Sequence, residues 1–446
     1  MSLHKTLTGG LLAALWMPSV WAAPDNKDAE LAHIRAEIAQ MREAYEARIA
    51  ALEGRLAQAE QRTETRVEAR SGAVAAPNNA FNPAVSLILS GTHASLQRDP
   101  DTYQIGGFIP SGGEVGPPKR GFGLAESELV MSANIDPNWH GYFTLALDPD
   151  NSVAVEEAWI QSLSLPHGLT LKGGRFYSGI GYSNEQHPHV WDFVDAPLAQ
   201  KAFLGGNLGG DGVQLKWLAP TETFLELGAE VTRGHNFPGS ERNKNGIGAW
   251  SAFAHVGGDV GDSHSWRAGL SYLHNRPKGR EFELDDKTNS FSGNSNLWLA
   301  DLVWKWAPDG NARQRNFKLQ GEYYRRAENG DLSHDTSAPT VYGYKATQSG
   351  WYAQGVYQFM PRWRTGLRHD KLHYGRVDTD AALLASLPVL ERYSPSRNTL
   401  MLDYSPSEFS RFRVQLARDK SRRDEGDKQI MLQYVTSLGS HGAHKF

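Results

Sequence analysis

The sequence predicts an all-β chain: a transmembrane antiparallel β-barrel of about sixteen strands, preceded by an N-terminal α-helical coiled coil. Three observations predict this. From Ala84 onward, apolar and polar residues alternate with a period of two, the mark of strands with one apolar and one polar face. The links between these segments alternate between short and long, as periplasmic turns and outer loops do. Before residue 70 the apolar residues follow a helical seam instead.

The chain starts MSLHKTLTGGLLAALWMPSVWAAPD. A short basic start, an apolar run from Leu7 to Trp21 and small residues at Val20 and Ala22 predict a signal peptide over residues 1–22, cut after Ala22 or Ala23. The chain is therefore expected to be exported. It has no cysteine, so no disulfide framework holds it. Its net charge of -4 gives no argument for nucleic acid. No later segment has the roughly 18 consecutive apolar residues of a spanning helix. Strands of a barrel are only half apolar and escape such a search.

Residues 25–70 are expected to form a periplasmic coiled coil. Leu31, Ile34, Ile38, Met41, Tyr45, Ile49, Leu52, Leu56 and Ala59 are spaced 3, 4, 3, 4, 4, 3, 4 and 3 apart. That is a heptad seam with one stutter. Charges fill the other faces, so the helix has little to bury except a copy of itself, and a homo-oligomer, a trimer, is expected. Residues 71–83 (SGAVAAPNNAFNP) read as a linker, from their Gly, Ala, Pro and Asn content.

Residues 84–446 carry the barrel. In TFLELGAEVTR, Leu225, Leu227, Ala229 and Val231 oppose Glu226, Gly228, Glu230 and Thr232. NLWLADLVWKW, FKLQGEYYRR and SRFRVQLAR alternate in the same way. Trp304, Trp306, Trp351, Tyr357, Phe359 and Trp363 cluster near segment ends, where interface girdles form. Pro137-Asn138, Pro220-Thr221, Met360-Pro361-Arg362 and Pro406-Ser407 are tight links, and 106–121, 177–208, 276–293, 329–346 and 375–395 are long ones. The even strand count returns the chain end to the side where the barrel began. The terminal GSHGAHKF is not apolar at alternate positions, so the last strand is expected to stop before His441 and His444.

The coiled coil followed by a barrel resembles bacterial outer-membrane porins, including phosphate-selective and sugar-selective ones. FYSGIGYSNEQHPHVWDFVDAPL, KWAPDGNARQRNFKLQGEYYRR, GWYAQGVYQFMPRWRTGLRHD, LDYSPSEFSRFRVQ and GSHGAHKF resemble more closely a family of uncharacterised outer-membrane barrels labelled zinc-regulated or TonB-dependent receptors. That resemblance spans most of residues 82–446 and implies a link to zinc supply. A TonB-dependent receptor is a barrel of roughly 22 strands with a plug domain. Residues 82–446 are too few for it, so passage through this barrel is expected to be diffusive.

The polar faces assign Lys172, Lys216, Glu226, Glu230, Arg267, Asp301, Lys305, Lys318, Glu322, Arg326, Arg364, Arg368 and Arg413 to the lumen, with Glu128, Asp370 and Asp403 among the further acids. The signs are nearly balanced, which does not match the cationic excess expected of a phosphate-selective pore. The link 177–208 is the third long outer connection, and a porin's third loop folds into the lumen and narrows it. Glu185, His187, His189, Asp192 and Asp195 are its candidate constriction residues. A short helix is expected in WDFVDAPLAQKAFLGG, ended by Gly205-Gly206 and capped by Asp192 or Asp195. His187, His189 and Asp192 are also the candidate ligands of a metal, zinc. Across Pro188, in an extended stretch, the two imidazoles lie about 7 Å apart, whereas zinc needs three or four convergent ligands. Metal binding, lining and plain packing all remain open for this stretch.

No G-x-S-x-G elbow and no H-E-x-x-H helix is present, so no enzyme is expected. The function expected is passive passage of small hydrophilic solutes or ions across the outer membrane, linked to zinc supply. The alternatives are a metal-specific uptake barrel and a structural tether working through the coiled coil.

Overall fold

A computed structural model describes residues 83–439, apart from 113, 114, 242, 244 and 424. The signal peptide, the coiled coil, the linker up to residue 82 and the terminal His441 and His444 lie outside the described residues.

Eighteen strands form one antiparallel sheet among the described residues. They are β1 (Ala84–Leu96), β2 (Gly121–Leu124), β3 (Ser127–Asp136), β4 (Trp139–Leu147), β5 (Val153–Ser162), β6 (Leu169–Tyr177), β7 (Gly209–Leu218), β8 (Phe224–Thr232) and β9 (Ala249–Val260). There follow β10 (His264–Asn275), β11 (Arg280–Leu284), β12 (Lys287–Trp306), β13 (Asn316–His334), β14 (Thr340–Met360), β15 (Trp363–Thr379), β16 (Ser396–Ser407), β17 (Ser410–Lys420) and β18 (Asp427–Gly439). β1 pairs with β18 on one side and β3 on the other, which closes the wall. Two strands are accessory. β2 pairs with β1 beyond the end of β3, and β11 forms a hairpin with the outer part of β12. The closed barrel therefore has sixteen strands, which leaves no unpaired edge.

The period-two reading places the faces as it should for a membrane. On β16, β17 and β18, Leu400, Leu402, Val414, Leu416, Ile430, Leu432 and Tyr434 all point outward and are 40–49% exposed. Between them Thr399, Met401, Gln415, Gln429 and Met431 point inward and are buried. Aromatic pairs stand at both ends of the band. Trp363 packs on Tyr404 and Phe412 on Tyr434 near the short turns, and Trp250 and Trp298 flank Tyr272 towards the outer loops.

The sequence-derived boundaries differ from the structure at the outer rim. The link read over 329–346 is only the turn between His334 and Thr340, because β13 and β14 stay paired from Asn316↔Gln358 to His334↔Thr340. β12 likewise starts at Lys287 and β15 runs to Thr379. The polar rim residues of these strands gave no apolar alternation, yet backbone pairing continues past the membrane band. Between Gly121 and Asp136 the chain forms two strands, β2 and β3, parted at residues 125 and 126.

The core is inside the barrel. Phe108, Ile180, Leu198, Ala202, Phe203, Leu204, Phe253, Leu299, Tyr324 and Leu372 form one buried cluster, with contributions from the wall and from two inserted segments. Nearer the outer rim, Ile109, Phe282, Phe291, Leu332, Tyr344, Leu383, Leu387 and Leu390 form a second. It takes in the 381–390 segment, which starts with a short helix, α2 (Ala381–Ser386). A barrel of sixteen strands with an empty lumen has no such core.

Candidate functional site

The connection from β6 to β7, residues 178–208, enters the lumen and is held there by the wall. Several of its backbone N–H groups are satisfied by carboxylates on the strands. Gly179 N–H donates to Glu230 Oε1 at 2.8 Å, and Tyr182 and Ser183 N–H both donate to Glu322 Oε1 at 2.7 and 2.8 Å. The loop's ends are tied to each other, Asn207 Nδ2 donating to Asn184 O at 2.9 Å and Leu208 N–H to Asn184 Oδ1 at 2.7 Å. The expected short helix is present as α1 (Leu198–Leu204), ended by Gly205 at φ 75°, the left-handed conformation that glycine takes without strain. Neither Asp192 nor Asp195 caps it. Pro197 is its N-cap, and Leu198 N–H donates across to Asp370 Oδ1 on β15 at 2.9 Å. The two loop aspartates are occupied by cations instead.

Asp192 is bound by Lys318 on β13 and by Arg364 Nη1 on β15 at 3.1 Å. Asp195 lies between Lys201 Nζ at 3.2 Å, Arg368 Nη2 at 3.1 Å and Arg397, and it also accepts from Gln415 Nε2 at 3.0 Å. Burial alone raises a carboxyl pKa. Here Lys318 and Arg364 outweigh it for Asp192, and Arg397, Lys201 and Arg368 for Asp195, so both stay ionised well below the usual carboxylate range. A carboxylate with a depressed folded pKa adds stability that is complete above its unfolded value of about 3.9 and is lost as pH falls through the folded value. The aspartate anchors should therefore survive acidification from about pH 7 to about pH 5. Limited proteolysis of the loop across that range checks this; wild-type cleavage that rises towards pH 5, against cleavage that does not change with pH in an Asp192→Asn, Asp195→Asn variant, would contradict it.

The imidazoles occupy a separate pole. Pro188–Val190 forms a 3-10 turn, where the sequence suggested an extended stretch. Pro188 at its first position presets the backbone for that turn. The turn stacks His187 on His189, ring centres 5.8 Å apart. Both reach one carboxylate: His187 Nδ1 lies 3.2 Å from Glu128 Oε2, and His189 Nδ1 2.7 Å from Glu128 Oε1. His187 Nδ1 is also 3.2 Å from Glu156 Oε2, and its Nε2 is 3.0 Å from Glu157 Oε2. Burial favours the neutral ring, but Glu128, Glu156 and Glu157 outweigh it and hold His187 well above its ordinary pKa. The structure brings His187 and His189 together and does not bring Asp192 to them. Glu185, the remaining loop candidate, pairs with Lys216 Nζ at 3.3 Å.

At this level the loop fills the lumen. Glu128 on β3, Glu157 on β5, Gln214 on β7, Glu230 on β8, Ser271 on β10, Glu322 on β13, Arg368 on β15, Gln415 on β17 and Met431 on β18 are each less than a tenth exposed. A water-filled pore would leave them wet. Where the sequence predicts a narrowing, the described residues form a seal, because α1 and the apolar residues around it supply volume as well as charge. On the short-turn side of the seal is a chamber of about 930 Å³. Lys172, Lys216, Glu226, Arg267, Lys305, Lys318 and Arg364, of the lumenal charges read from the sequence, line it. Glu230, Asp301, Glu322, Arg326, Arg368 and Arg413 are buried against the loop or the inner wall.

Sequence reasoning missed Glu156, Glu157, Lys201 and Arg397. Glu156 and Glu157 are adjacent, so strict alternation sends one of them to the lipid. The ladder between β4 and β5 slips after Thr144↔Glu157 to Leu145↔Val155, leaving Glu156 as a bulge. Bulges re-aim side chains, and both glutamates reach His187. The doublet interrupting VAVEEAWIQ was the available signal.

No family model matches the chain. Among solved structures, the barrel is similar to OmpT with loop L8 deleted, an outer membrane protein of Vibrio cholerae, with a TM-score of 0.50 and 10% identity over 81% of this chain and 100% of that one. The outer membrane channel DcaP of Acinetobacter baumannii superposes with a TM-score of 0.49 and 13% identity over 81% of this chain and 99% of that one. The first likeness is one of fold, and it matches the closed membrane barrel built above. An uncharacterized protein of Aquifex aeolicus (strain VF5) is 32% identical over 397 residues, 82% of this chain and 80% of that protein. On that relationship, the chain belongs to the same family as the Aquifex aeolicus protein.

Proposed function

We propose that this barrel is an outer-membrane channel for passive passage of small hydrophilic solutes or ions, closed at rest by its own 178–208 loop. The observation that carries this is the pairing of a sixteen-stranded wall, wide enough for an aqueous route, with a charged chamber of about 930 Å³ that ends at the loop. The loop is held by apolar packing around α1 and by polar groups on the strands, and those polar groups can be solvated if it withdraws. The homo-oligomer, a trimer joined through residues 25–70, belongs to this reading and rests on the heptad seam.

Asn184 and Asn207 hold the loop ends within hydrogen-bond distance, so residues 185–206 can be excised and the ends joined by a short Gly-Ser bridge. The excised form should keep the heat-modifiable gel mobility of a folded barrel and show large steady currents in planar bilayers. The wild type should be mostly closed. A folded excision variant that carries no current refutes the channel reading.

A second reading, a metal-specific zinc uptake barrel, draws on the imidazole–carboxylate pole beside the chamber. It requires zinc flux that exceeds the flux of other small ions through the same barrel. The tether reading rests on residues outside those described.

A further inference from the structure

At the imidazole pole, each carboxylate commits one oxygen and presents the other. Glu156 Oε1 accepts from Tyr177 Oη at 2.6 Å, and Glu128 Oε1 faces His189 Nδ1 at 2.7 Å. Glu157 Oε1 accepts from Trp159 Nε1 and Tyr177 N–H, both at 3.1 Å. Glu157 Oε2 meets His187 Nε2 and so aims Nδ1 at the other two glutamates. What remains is three buried atoms, Glu128 Oε2, Glu156 Oε2 and His187 Nδ1, whose contacts are with one another: the nitrogen lies 3.2 Å from each oxygen, and none makes a well-formed hydrogen bond. Glu128, Glu156 and His187 each offer one ligand atom, and these lie within 4.8 Å of one another. Buried polar atoms are otherwise nearly always bonded.

We propose that Glu128, Glu156 and His187 bind a divalent first-row cation, with Zn²⁺ the best fit, and that the ion fastens the lumenal loop to β3 and β5. Tetrahedral zinc with bonds of about 2.0–2.1 Å has ligand–ligand edges of about 3.3 Å. His187 Nδ1 stands 3.2 Å from each carboxylate oxygen, so two edges are already in place. A metal-bound imidazole commonly gives its other nitrogen to a carboxylate, as His187 does to Glu157. The bulge at Glu156 puts a second adjacent acid on the lumenal side, and His187 borders the chamber, which gives the ion an entry path. Two carboxylates balance the charge of a divalent ion, and imidazole favours zinc and its neighbours over calcium or magnesium. The donors differ from those the sequence offered: His187 is kept, Asp192 is bound to cations elsewhere, and His189 orients Glu128. The site stands on this geometry and does not depend on whether the barrel conducts.

The test is Zn²⁺ titration of the full, detergent-folded chain against a chromophoric chelator, in a His441→Ala, His444→Ala background that removes the terminal imidazoles. One ion per barrel is expected. Glu128→Gln and His187→Ala should abolish binding, and Glu157→Gln should weaken it about 10–100-fold. Asp192→Asn should still bind one ion, because Asp192 meets Lys318 and Arg364 and not the ligand set. Gel mobility of each heat-untreated variant reports folding. Glu156→Gln, at a bulge and not in the paired ladder, serves where Glu128→Gln fails to fold. Absence of wild-type binding, equal binding by the ligand variants, or tighter binding of Ca²⁺ or Mg²⁺ overturns the proposal.

Discussion

Asp195→Ala is expected to release the second half of the lumenal loop. Asp195 is the shared anion of Lys201, Arg368 and Arg397, all of them buried. Removing one partner from a buried ion pair costs about 3–5 kcal/mol, because the remaining charge is left uncompensated. The loss is not evenly spread. Arg368 keeps Asp370 at 3.1 Å and Arg397 has Asp419 at 3.6 Å, whereas Lys201 on α1 has its ion pair with Asp195. The helix should therefore lead the release. Amide exchange should speed up over Leu198–Leu204, protease should gain access to the loop, and channel openings should become frequent. The strands should keep their exchange protection, since their ladders do not include this residue. Asp195→Asn keeps an acceptor for Gln415 and should fall between. Unchanged exchange over α1 would mean that apolar packing alone seats the loop.

The comparison of sequence with structure separates two kinds of information. Strands of the membrane band were legible because lipid demands an apolar side chain at every second position, as at Val414 and Leu416. The rim extensions of β13 and β14 were not, because water makes no such demand and only backbone pairing defines them. The loop's entry into the lumen was expected from its place in the chain. Its partners were harder to read, because Asp195 meets Arg397 and Gln415 from strands some two hundred residues away. Local spacing suggested that Asp192 turns back towards His187. Tertiary placement sends it to Lys318 and Arg364, where two cations outcompete any local partner. The Glu156 bulge is a change of register, and a strict period-two reading excludes it by construction.

Those wall contacts also explain how a loop of mixed polarity is held at membrane depth. Its backbone donors are a main cost of burial, and acids on the strands accept several of them. Glu230 serves the loop where it leaves β6, Glu322 the turn that follows and Asp370 the start of α1. Charged residues that look like pore lining in the sequence are here hydrogen-bond acceptors for the loop's main chain. The near balance of lumenal charge follows from this: the acids hold backbone donors, and the bases hold the two loop aspartates.

Glu322→Ala should unseat the first half of the loop as strongly as Asp195→Ala unseats the second. The chain turns at Gly181, φ 71°, so that the N–H groups of Tyr182 and Ser183 both point at Glu322 Oε1. Glu322 Oε2 accepts the Tyr324 hydroxyl. All of this is buried, and each donor left without an acceptor costs about 1–3 kcal/mol. Glu322→Gln keeps a carbonyl oxygen for the two amides and should stay close to wild type. If the carboxylate acted through its charge on nearby Arg267 instead, Gln would be as harmful as Ala. Amide exchange at Tyr182 and Ser183 separates the cases: fast in Ala and slow in Gln for the acceptor role, fast in both for the charge role. Slow exchange in the Ala variant would show that neither contact seats this arm of the loop.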